Sequence, residues 1–351
     1  MPVIDDAQTD TSGAPEQPRP VEVRPLRILT VTNLWPENGG FRGTFVWDQV
    51  QSIRALGHHV DVEVVAQSRG RRDYFLAFQR VRRRVKQGQY DLVHIHFGMT
   101  AWAGRFVGSV PRVLTLHGGD VHIWWQRWLT RIGSGGATKI YTSRRQALRA
   151  NDPDALVVTC GVDPDLFVLA DQTAARRELG IHHDEPIVLF GSYRANPVKD
   201  YPLFAAVLDE LRARGLTVHE LIVAELNQPR TRVAAKFAAA DALLLTSKRG
   251  TETGPVVVKE AVLTQLPVVS VDVGDVPDVL DGVTPSVCVP WPEPWGTPAA
   301  REQLVTTLAD HLEEILVSRA RSNGRALSEK IQLAYSARAV EEIYRQVLAG
   351  R

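Results

Sequence analysis

Short apolar runs rich in β-branched residues alternate along this chain with segments of helical periodicity, and this alternation constrains the fold more than any other feature. Most of the runs are apolar at consecutive positions, which is typical of strands covered by helices on both faces. The alternation therefore predicts parallel sheets built from βαβ units. The runs are RILTVTN, VDVEVVA, DLVHIHF, RVLTLHG and KIYTS, followed by PIVLFGS, HELIVAE, ALLLTS and PVVSVDV.

The chain has 351 residues, a length that suits two domains of roughly 150 residues each, with a cleft between them. Strand signals lapse around Gly161 and Pro164. We therefore predict an amino-terminal Rossmann-like domain over 26–167 and a carboxy-terminal one over 168–334, and we expect the helix of 335–351 to pack back on the first domain. Residues 1–25 contain five prolines and five acidic residues and predict a disordered tail.

Composition excludes several classes of protein. The formal net charge is +1, which disfavours a nucleic-acid binder. Cys160 and Cys288 are far apart, so a disulfide framework and a cysteine-rich zinc site are both excluded, and a cytoplasmic location is expected. About eighteen consecutive apolar residues would be needed to cross a bilayer, and no such run occurs.

Ligands in open α/β sheets bind at the carboxyl ends of the strands. The residues that follow the predicted strands are polar or glycine-rich, which concentrates the candidate site in the segments 33–43, 96–98, 117–120, 192–199, 225–228, 248–254 and 274–277.

The segment 243–260, LLLTSKRGTETGPVVVKE, places two carboxylates around a predicted helix start. Glu252 precedes the Gly254-Pro255 step, with Pro255 as the first helical residue, and Glu260 lies within the helix. The free N–H groups of the first turn form an anion site. Glu252 would then accept hydrogen bonds from sugar hydroxyls, the helix start would receive a phosphate, and Glu260 would bind a diol. Two surface glutamates on an ordinary βαβ unit remain the alternative.

This segment resembles the E-x7-E signature of retaining glycosyltransferases of family 4. Glu252 and Glu260 match the two acids, and LPVVSVDVGDVPDVL follows them. The resemblance covers nearly the whole chain from Leu26, and its carboxy-terminal half looks like the branch that builds cell-surface polysaccharides. It implies an α/β GT-B fold, in which two Rossmann-like domains with parallel sheets face each other across a cleft. The family's usual Glu-Gly-Ser-Pro-Asn differs here, reading Glu252-Thr253-Gly254-Pro255-Val256.

The resemblance also implies roles on the donor side of the cleft. Arg194 and Lys199 would neutralise a diphosphate leaving group without a metal. A solvent-exposed loop with two surface charges is the alternative. The resemblance extends the predicted donor contacts to Glu252, Glu260, Gly39, Gly40, Ser192, Glu225, Leu226, Thr253, Gly254, Pro255 and Val256.

On the amino-terminal side, the resemblance places His117 at the transferred sugar or the transition state rather than in general-base catalysis. A purely structural histidine is the alternative. We expect His96 to form a pocket wall, and Asp120 and Trp124 to lie on the acceptor side. Two Asp-x-Asp strings, at 152–154 and 163–165, lack further ligands, so no metal site is predicted there.

Residues 69–86 contain eight basic residues and one acid, Asp73. Tyr74, Phe75, Phe78 and Val81 fall at helical spacing and predict an apolar face beside a cationic one. The segment either packs on the sheet with a solvated basic side or contacts anionic lipid headgroups. The second interpretation would bring a lipid-linked acceptor to the cleft.

These patterns and the resemblance together imply a retaining, metal-independent glycosyltransferase without a cofactor. It would transfer a sugar from a nucleotide diphosphate sugar to a hydroxyl of a glycan or lipid-linked acceptor. We expect it in the cytoplasm, and contact with anionic lipid would make it a peripheral protein on the inner face of the membrane. Its predicted catalytic residues are His117, Glu252, Arg194 and Lys199. A nucleotide-sugar epimerase on the same fold and a non-catalytic nucleotide-sugar-binding subunit are the alternatives.

Overall fold

The computed structural model describes residues 24–36, 40, 42–66, 68–118, 124–152, 155–225 and 228–350. The predicted disordered tail therefore lies almost entirely outside the described residues, as do Gly39, Asp120 and Leu226.

The amino-terminal domain contains a six-stranded parallel sheet in the order β2-β1-β3-β4-β5-β6. A short 3-10 helix, Gly98–Trp102, lies between β3 and β4. The elements in chain order are β1 (Arg27–Thr32), α1 (Thr44–Ala55), β2 (His59–Val64), α2 (Asp73–Gly88), β3 (Leu92–His96), β4 (Arg112–Leu116), α3 (Trp124–Gly133), β5 (Thr138–Tyr141), α4 (Arg144–Arg149) and β6 (Leu156–Val157).

The carboxy-terminal domain contains a five-stranded parallel sheet in the order β11-β10-β9-β7-β8. Two 3-10 turns, Gly324–Leu327 and Glu329–Ile331, precede the last helix. The elements are α5 (Gln172–Glu178), β7 (Ile187–Phe190), α6 (Tyr201–Ala213), β8 (His219–Ile222), α7 (Arg230–Ala239), β9 (Ala242–Leu245), α8 (Val256–Leu263), β10 (Val268–Val271), α9 (Val276–Val279), β11 (Val287–Val289), α10 (Pro298–Ser318) and α11 (Leu333–Ala349).

All nine apolar runs of the sequence form strands, and the prediction of parallel sheets is confirmed. Two strands, β6 and β11, were not predicted from the sequence. Both are edge strands of two or three residues. An edge strand is covered less completely than a central one, so neither carries the long apolar signature of a buried strand.

Both faces of the amino-terminal sheet are packed. Because side chains alternate along a strand, Leu29 of β1 joins a core with Val81 of α2, while Ile28 joins a second core with Val50 of α1. The second core also contains Val340 of α11. The last helix of the chain thus packs on the amino-terminal domain.

The chain passes between the domains twice at one place. Val162 and Gln332 form a parallel bridge, and the Val162 amide donates to the Ile331 carbonyl over 2.8 Å. A Cβ at Gly161 would lie 2.8 Å from the Leu333 Cα, which is too close for two carbon atoms. The two backbones can therefore approach this closely because residue 161 is a glycine. The two crossings hold the domains side by side.

None of the helices in the described ranges is both long and apolar enough to cross a bilayer.

Candidate functional site

A cavity of about 350 Å³ lies where the carboxyl ends of the second sheet face the amino-terminal domain. Residues at the ends of β7 and β8 and the start of α8 form one side, and residues at the start of α1 form the other. The lining residues are Gly40, Thr44, Phe45, Phe167, Gly191, Ser192, Tyr193, Asn196, Lys199, Val223, Ala224, Glu225, Gln228, Arg230, Val233, Val256, Val257 and Glu260.

Lys199 and Glu252 form an ion pair at this cavity, with 2.6 Å between Lys199 Nζ and a Glu252 carboxylate oxygen. Both side chains are largely shielded from solvent. The hydroxyl of Ser247, just after β9, donates to Glu252 over 2.9 Å, and the hydroxyl of Thr246 donates to the Lys199 carbonyl over 3.0 Å. Two of the predicted residues are thus held together by polar groups at the end of β9.

Glu260 enters the same cavity from α8. The helix begins at Val256, one residue later than predicted, because Pro255 has an extended backbone (φ −66°, ψ 110°) and occupies the N-cap position. Burial raises the pKa of Glu260 to about 7, an effect that Asp48 reinforces and that Arg230 and Lys199 oppose. This acid therefore changes its charge within the physiological pH range.

Arg230 and Asp48 form a second ion pair at the cavity, and it joins the two domains. Two guanidinium nitrogens of Arg230 bind the two carboxylate oxygens of Asp48, at 2.5 and 2.8 Å. Asp48 is buried, and this burial raises its pKa while Arg230 lowers it. The pair supplies a fixed cation beside Glu260, in a position that the sequence analysis did not identify.

Three histidines form a column at the carboxyl ends of β3 and β4. His96 Nδ1 lies 3.0 Å from His117 Nε2, and the His94 and His96 rings lie 4.3 Å apart. The Tyr344 hydroxyl of α11 lies 2.6 Å from His94 Nδ1. Burial lowers the pKa of both His94 and His117 to about 3, and that of His96 also lies well below its ordinary value. The column is therefore neutral at physiological pH.

His117 also connects the two domains. The Thr253 hydroxyl donates to the His117 carbonyl oxygen over 3.2 Å. Thr253 was predicted as a donor contact, and here its hydroxyl fixes the position of α8 relative to β4 instead.

Arg194 does not line the cavity in this structure, although it was predicted to bind the diphosphate with Lys199. Its guanidinium forms an ion pair with Glu220 and lies 5.5 Å from the centre of the Tyr201 ring. The Tyr201 hydroxyl also donates to Glu220, over 2.7 Å. Glu220 on β8 provides an alternative anionic partner that local sequence did not reveal, and it holds Arg194 at the surface.

The remaining predicted residues divide between the cavity and other places. Gly40, Ser192, Glu225 and Val256 line the cavity, and Gly254 and Pro255 do not. His96, predicted as a pocket wall, is packed between His94 and His117 and lines a separate small internal space instead of this cavity. Trp124 is 81% exposed at the start of α3 and does not line the cavity.

A buried polar network lies beneath the paired glutamates. Lys259 Nζ lies 2.8 Å from an Asp275 carboxylate oxygen and 2.5 Å from the hydroxyl of Thr159, which belongs to the amino-terminal side. A Cβ at Gly254 would lie 3.0 Å from the same Asp275 oxygen. The glycine is thus needed for the loop that carries Glu252 to pass over this network.

The Asp-x-Asp strings have local structural roles. Asp163 accepts from the amides of Asp165 and Leu166 and closes a turn, and Asp152 accepts from the Tyr141 hydroxyl over 3.3 Å. Asp154 lies outside the described residues.

Comparison with known proteins agrees with this architecture. Residues 41–166 match the profile of Glycosyltransferase Family 4. A Bacillus subtilis glycosyltransferase named for teichuronic acid biosynthesis, TuaC, is 27% identical over 213 residues, which are 53% of this chain and 54% of that protein. The chain spans about half the length of the curated relatives that it matches.

Solved structures share the two-domain fold of this chain, the GT-B fold. A sucrose-phosphate synthase from Thermosynechococcus elongatus superposes with a TM-score of 0.69 at 18% identity, over 93% of this chain and all of that one. HepE from Anabaena, in complex with UDP-glucose, gives a TM-score of 0.64 at 18% identity, over 92% of this chain and all of that one.

Three residues of the site were not predicted from the sequence: Asp48, Arg230 and Lys259. Asp275 lies within the predicted segment 274–277. Arg230 follows Pro229 shortly after the end of β8, so the rule that ligands bind beyond strand ends pointed to its neighbourhood. Asp48 lies within an amphipathic helix, where only the tertiary structure reveals that it is buried. Lys259 was hidden in the same way inside the apolar helix α8.

Proposed function

We propose that this chain is a retaining, metal-independent glycosyltransferase of family 4 that transfers a sugar from a nucleoside diphosphate sugar to a hydroxyl of a glycan or lipid-linked acceptor. The observation that carries the proposal is the inter-domain cavity, where Lys199 contacts Glu252 and Glu260 enters beside Arg230. A fixed cation and paired acids in a partly dry cleft suit a charged diphosphate attached to a polar sugar.

The two halves of the donor have different partners in this proposal. Lys199 would exchange its contact with Glu252 for the diphosphate, which would free the Glu252 carboxylate to accept hydrogen bonds from the sugar hydroxyls. Glu260 would accept from the ribose hydroxyls. Phe167, Val223 and Val233 give one part of the cavity an apolar wall that suits a nucleobase. The UDP-glucose bound to HepE supports this class of donor.

The chemical step follows from the charges in the cleft. The bond between the anomeric carbon and the diphosphate oxygen breaks, and the acceptor oxygen bonds to the same face of that carbon. The acceptor proton passes to the leaving phosphate oxygen. Lys199 would stabilise the negative charge that develops on the diphosphate, which is the main catalytic contribution in this scheme. His117 would contribute a neutral imidazole at the sugar rather than a base.

The experiment that tests the proposal uses the purified full chain with a panel of nucleoside diphosphates and their sugars. Thermal shift first identifies the donor, because a ligand that binds the folded state raises its melting temperature. Donor and a hydroxyl acceptor are then incubated with and without a chelator, and the anomeric configuration of the product is read by NMR. We expect nucleoside diphosphate release that depends on the acceptor, resists the chelator and retains configuration.

Contrary outcomes would be equally clear in this experiment. A new nucleotide sugar formed from the donor alone would indicate an epimerase. Tight donor binding without turnover over a wide acceptor panel would indicate a binding subunit. Glu252→Gln, which removes a charge while keeping the side-chain volume, serves as the matched inactive control.

We further propose that the acceptor side faces an anionic membrane surface. Helices α2 and α3 both pack on the 3-10 helix Gly98–Trp102, and both expose apolar side chains. Arg82 and Arg83 of α2 are exposed beside them, whereas Arg80 is bound to Asp73 and Glu63. The exposed apolar side chains are Phe75, Leu76, Phe106, Trp124, Trp125 and Trp128, of which Phe75 had been expected on the packed face of the helix.

Sedimentation with vesicles tests this second proposal. Wild type should bind vesicles that contain an anionic lipid more tightly than neutral ones, and salt should weaken the binding. Replacing Phe75 and Trp128 by serine should reduce binding, as should reversing the charges of Arg82 and Arg83. Val317→Ser, which removes an exposed apolar side chain from the other domain, is the matched control. Equal binding by all of these proteins would exclude the proposed face.

A further inference from the structure

A second polar cluster lies at the amino ends of two strands of the carboxy-terminal sheet, whereas the cleft lies at their carboxyl ends. It consists of His183 and Glu185, just before β7, and His219, the first residue of β8. One ligand atom from each side chain lies within 4.8 Å of the other two. Two imidazoles and a carboxylate are the ligands that Zn²⁺ and its neighbouring divalent transition ions prefer.

The contact between His183 and Glu185 is the most informative feature of the cluster. His183 Nδ1 lies 3.0 Å from a Glu185 carboxylate oxygen, and within the described residues neither of these solvent-shielded atoms has a hydrogen-bond partner outside the pair. Two ligand atoms on one tetrahedral Zn²⁺ stand about 3.3 Å apart when each bond is about 2.0 Å. The pair therefore has nearly the spacing of one edge of a coordination tetrahedron.

The third member of the cluster is already oriented toward the other two. The ring centroids of His183 and His219 lie 4.1 Å apart with 34° between the ring planes. The His219 amide donates to the Pro186 carbonyl over 2.9 Å, so strand pairing fixes the two loops relative to each other. Arg319, just after α10, donates to the Asp184 carbonyl over 3.0 Å and holds the first loop from the other side.

The surroundings also suit a cation, because Glu185 brings a carboxylate to the two imidazoles. A cavity of about 700 Å³ borders the cluster and is lined by residues of both loops and of the end of α10. Water from this cavity can complete the coordination.

We propose that His183, Glu185 and His219 bind a divalent transition-metal ion of the Zn²⁺ class, with a fourth position open to this cavity. This site is separate from the proposed donor site. The four-residue strand β7 separates the two by roughly 13 Å, at about 3.3 Å per residue. The ion would connect the loop before β7 to the start of β8, and so it would stabilise the domain without taking part in transfer.

The test titrates the metal-free full chain with Zn²⁺ against a chromophoric chelator, and with Co²⁺ followed by visible absorption. We expect one tight site for Zn²⁺, the intense absorption of four-coordinate Co²⁺, and a higher melting temperature with Zn²⁺ but not with Mg²⁺, which prefers oxygen ligands. His183→Ala and His219→Ala should each weaken Zn²⁺ binding at least 10–100-fold. Replacing a residue that only hydrogen-bonds to a metal ligand already produces a loss of this size. Glu185→Gln should weaken it less.

His182→Ala is the matched control, because this neighbour lies on the same loop but is not a member of the cluster. It should bind Zn²⁺ like wild type. The proposal is overturned if wild type has no tight site, or if both His183→Ala and His219→Ala keep it, which would place the ion elsewhere, for example at the His94, His96 and His117 column. Because the readouts are binding and stability, failure here leaves the proposed glycosyl transfer untouched.

Discussion

The two sides of the cleft differ in the charge of their polar side chains. The carboxy-terminal wall holds ionic groups in contact, with Lys199 against Glu252 and Glu260 near Arg230. The amino-terminal side carries three histidines outside the cavity lining, and burial keeps them neutral. Both walls are built from the same element, the carboxyl end of a parallel sheet.

The difference shows that burial alone does not set the charge of a cleft wall. On the carboxy-terminal side each acid has a cation within reach, which favours its ionised form against the effect of burial. On the amino-terminal side the contacts of the histidines include one another, hydroxyl groups and a thiol, and burial disfavours the charged form of each imidazole. The ion pairs can therefore respond to a charged ligand, whereas the three histidines offer neutral hydrogen bonds. The amino-terminal domain contributes a charge through Asp48, which is bound to Arg230.

The largest effect is expected from removing the cation of the charged wall. Lys199→Ala should lower turnover about 10²–10³-fold, the typical cost of deleting one group that stabilises developing negative charge. Arg194→Ala should cost less than about tenfold, because Arg194 is bound to Glu220 outside the cavity. Steady-state kinetics of both variants check this. An equal loss in the two would mean that Arg194 leaves Glu220 and turns inward when the donor binds.

The next largest effect is expected on donor binding by Glu260. Among the acids assigned to the proposed site, Glu260 has a pKa raised to near neutrality. Donor hydroxyls favour its ionised form, so donor affinity should rise about tenfold between pH 6 and pH 8, in proportion to the ionised fraction at a pKa of about 7. Glu260→Gln should bind with an affinity that does not change over this range. Calorimetric titration of the donor at several pH values measures it, and a pH-independent wild type would refute it.

The same group predicts a pH dependence of stability. The folded-state pKa of about 7 exceeds the ordinary value of 4.5, so the contribution to the free energy of unfolding is fully present below pH 4.5 and is lost as the pH rises through 7. The loss should be at most about 3.5 kcal/mol, at about 1.4 kcal/mol per pKa unit. Denaturant unfolding of wild type and Glu260→Gln, compared at pH 5 and pH 8, isolates this contribution.

A smaller effect is expected on the neutral wall. His117→Ala should reduce turnover several-fold to about tenfold, the value of one neutral hydrogen bond, and should leave the shape of the kcat profile between pH 6 and pH 8 unchanged. His117→Asn, which keeps a side-chain donor, should recover part of the loss. If the substitution instead removed an ionisation from that profile, His117 would be acting as a base and the two walls would be more alike than the structure indicates.

The smallest effect is expected at the rim, away from both walls. Arg145 of the amino-terminal domain pairs with Asp272 of the carboxy-terminal domain, and both side chains are partly exposed. Such pairs contribute only about 0.2–1 kcal/mol, so Arg145→Ala should lower the free energy of unfolding by no more than that. Arg212→Ala, which removes an exposed pair within one domain, is the control. A loss of several kcal/mol would show that the rim pair, rather than the buried contacts, holds the cleft closed.

Much of the architecture was predictable from local sequence. The nine apolar runs specify their strands because a strand covered on both faces must be apolar along its length. Glu252 and Glu260 were found because a strand, a loop and a helix start follow one another in sequence. The edge strands β6 and β11 were missed because two or three residues carry too little pattern.

The sequence by itself determined the two parallel sheets, the edges at which ligands bind, and the approximate positions of Lys199, Glu252, Glu260 and His117. Only the tertiary structure decided which charges meet. It placed Asp48 against Arg230 across the cleft, bound Arg194 to Glu220 at the surface, and neutralised the histidine column by burial. The reason is physical: strand and helix signals depend on neighbours along the chain, whereas ion pairs and pKa values depend on neighbours in space.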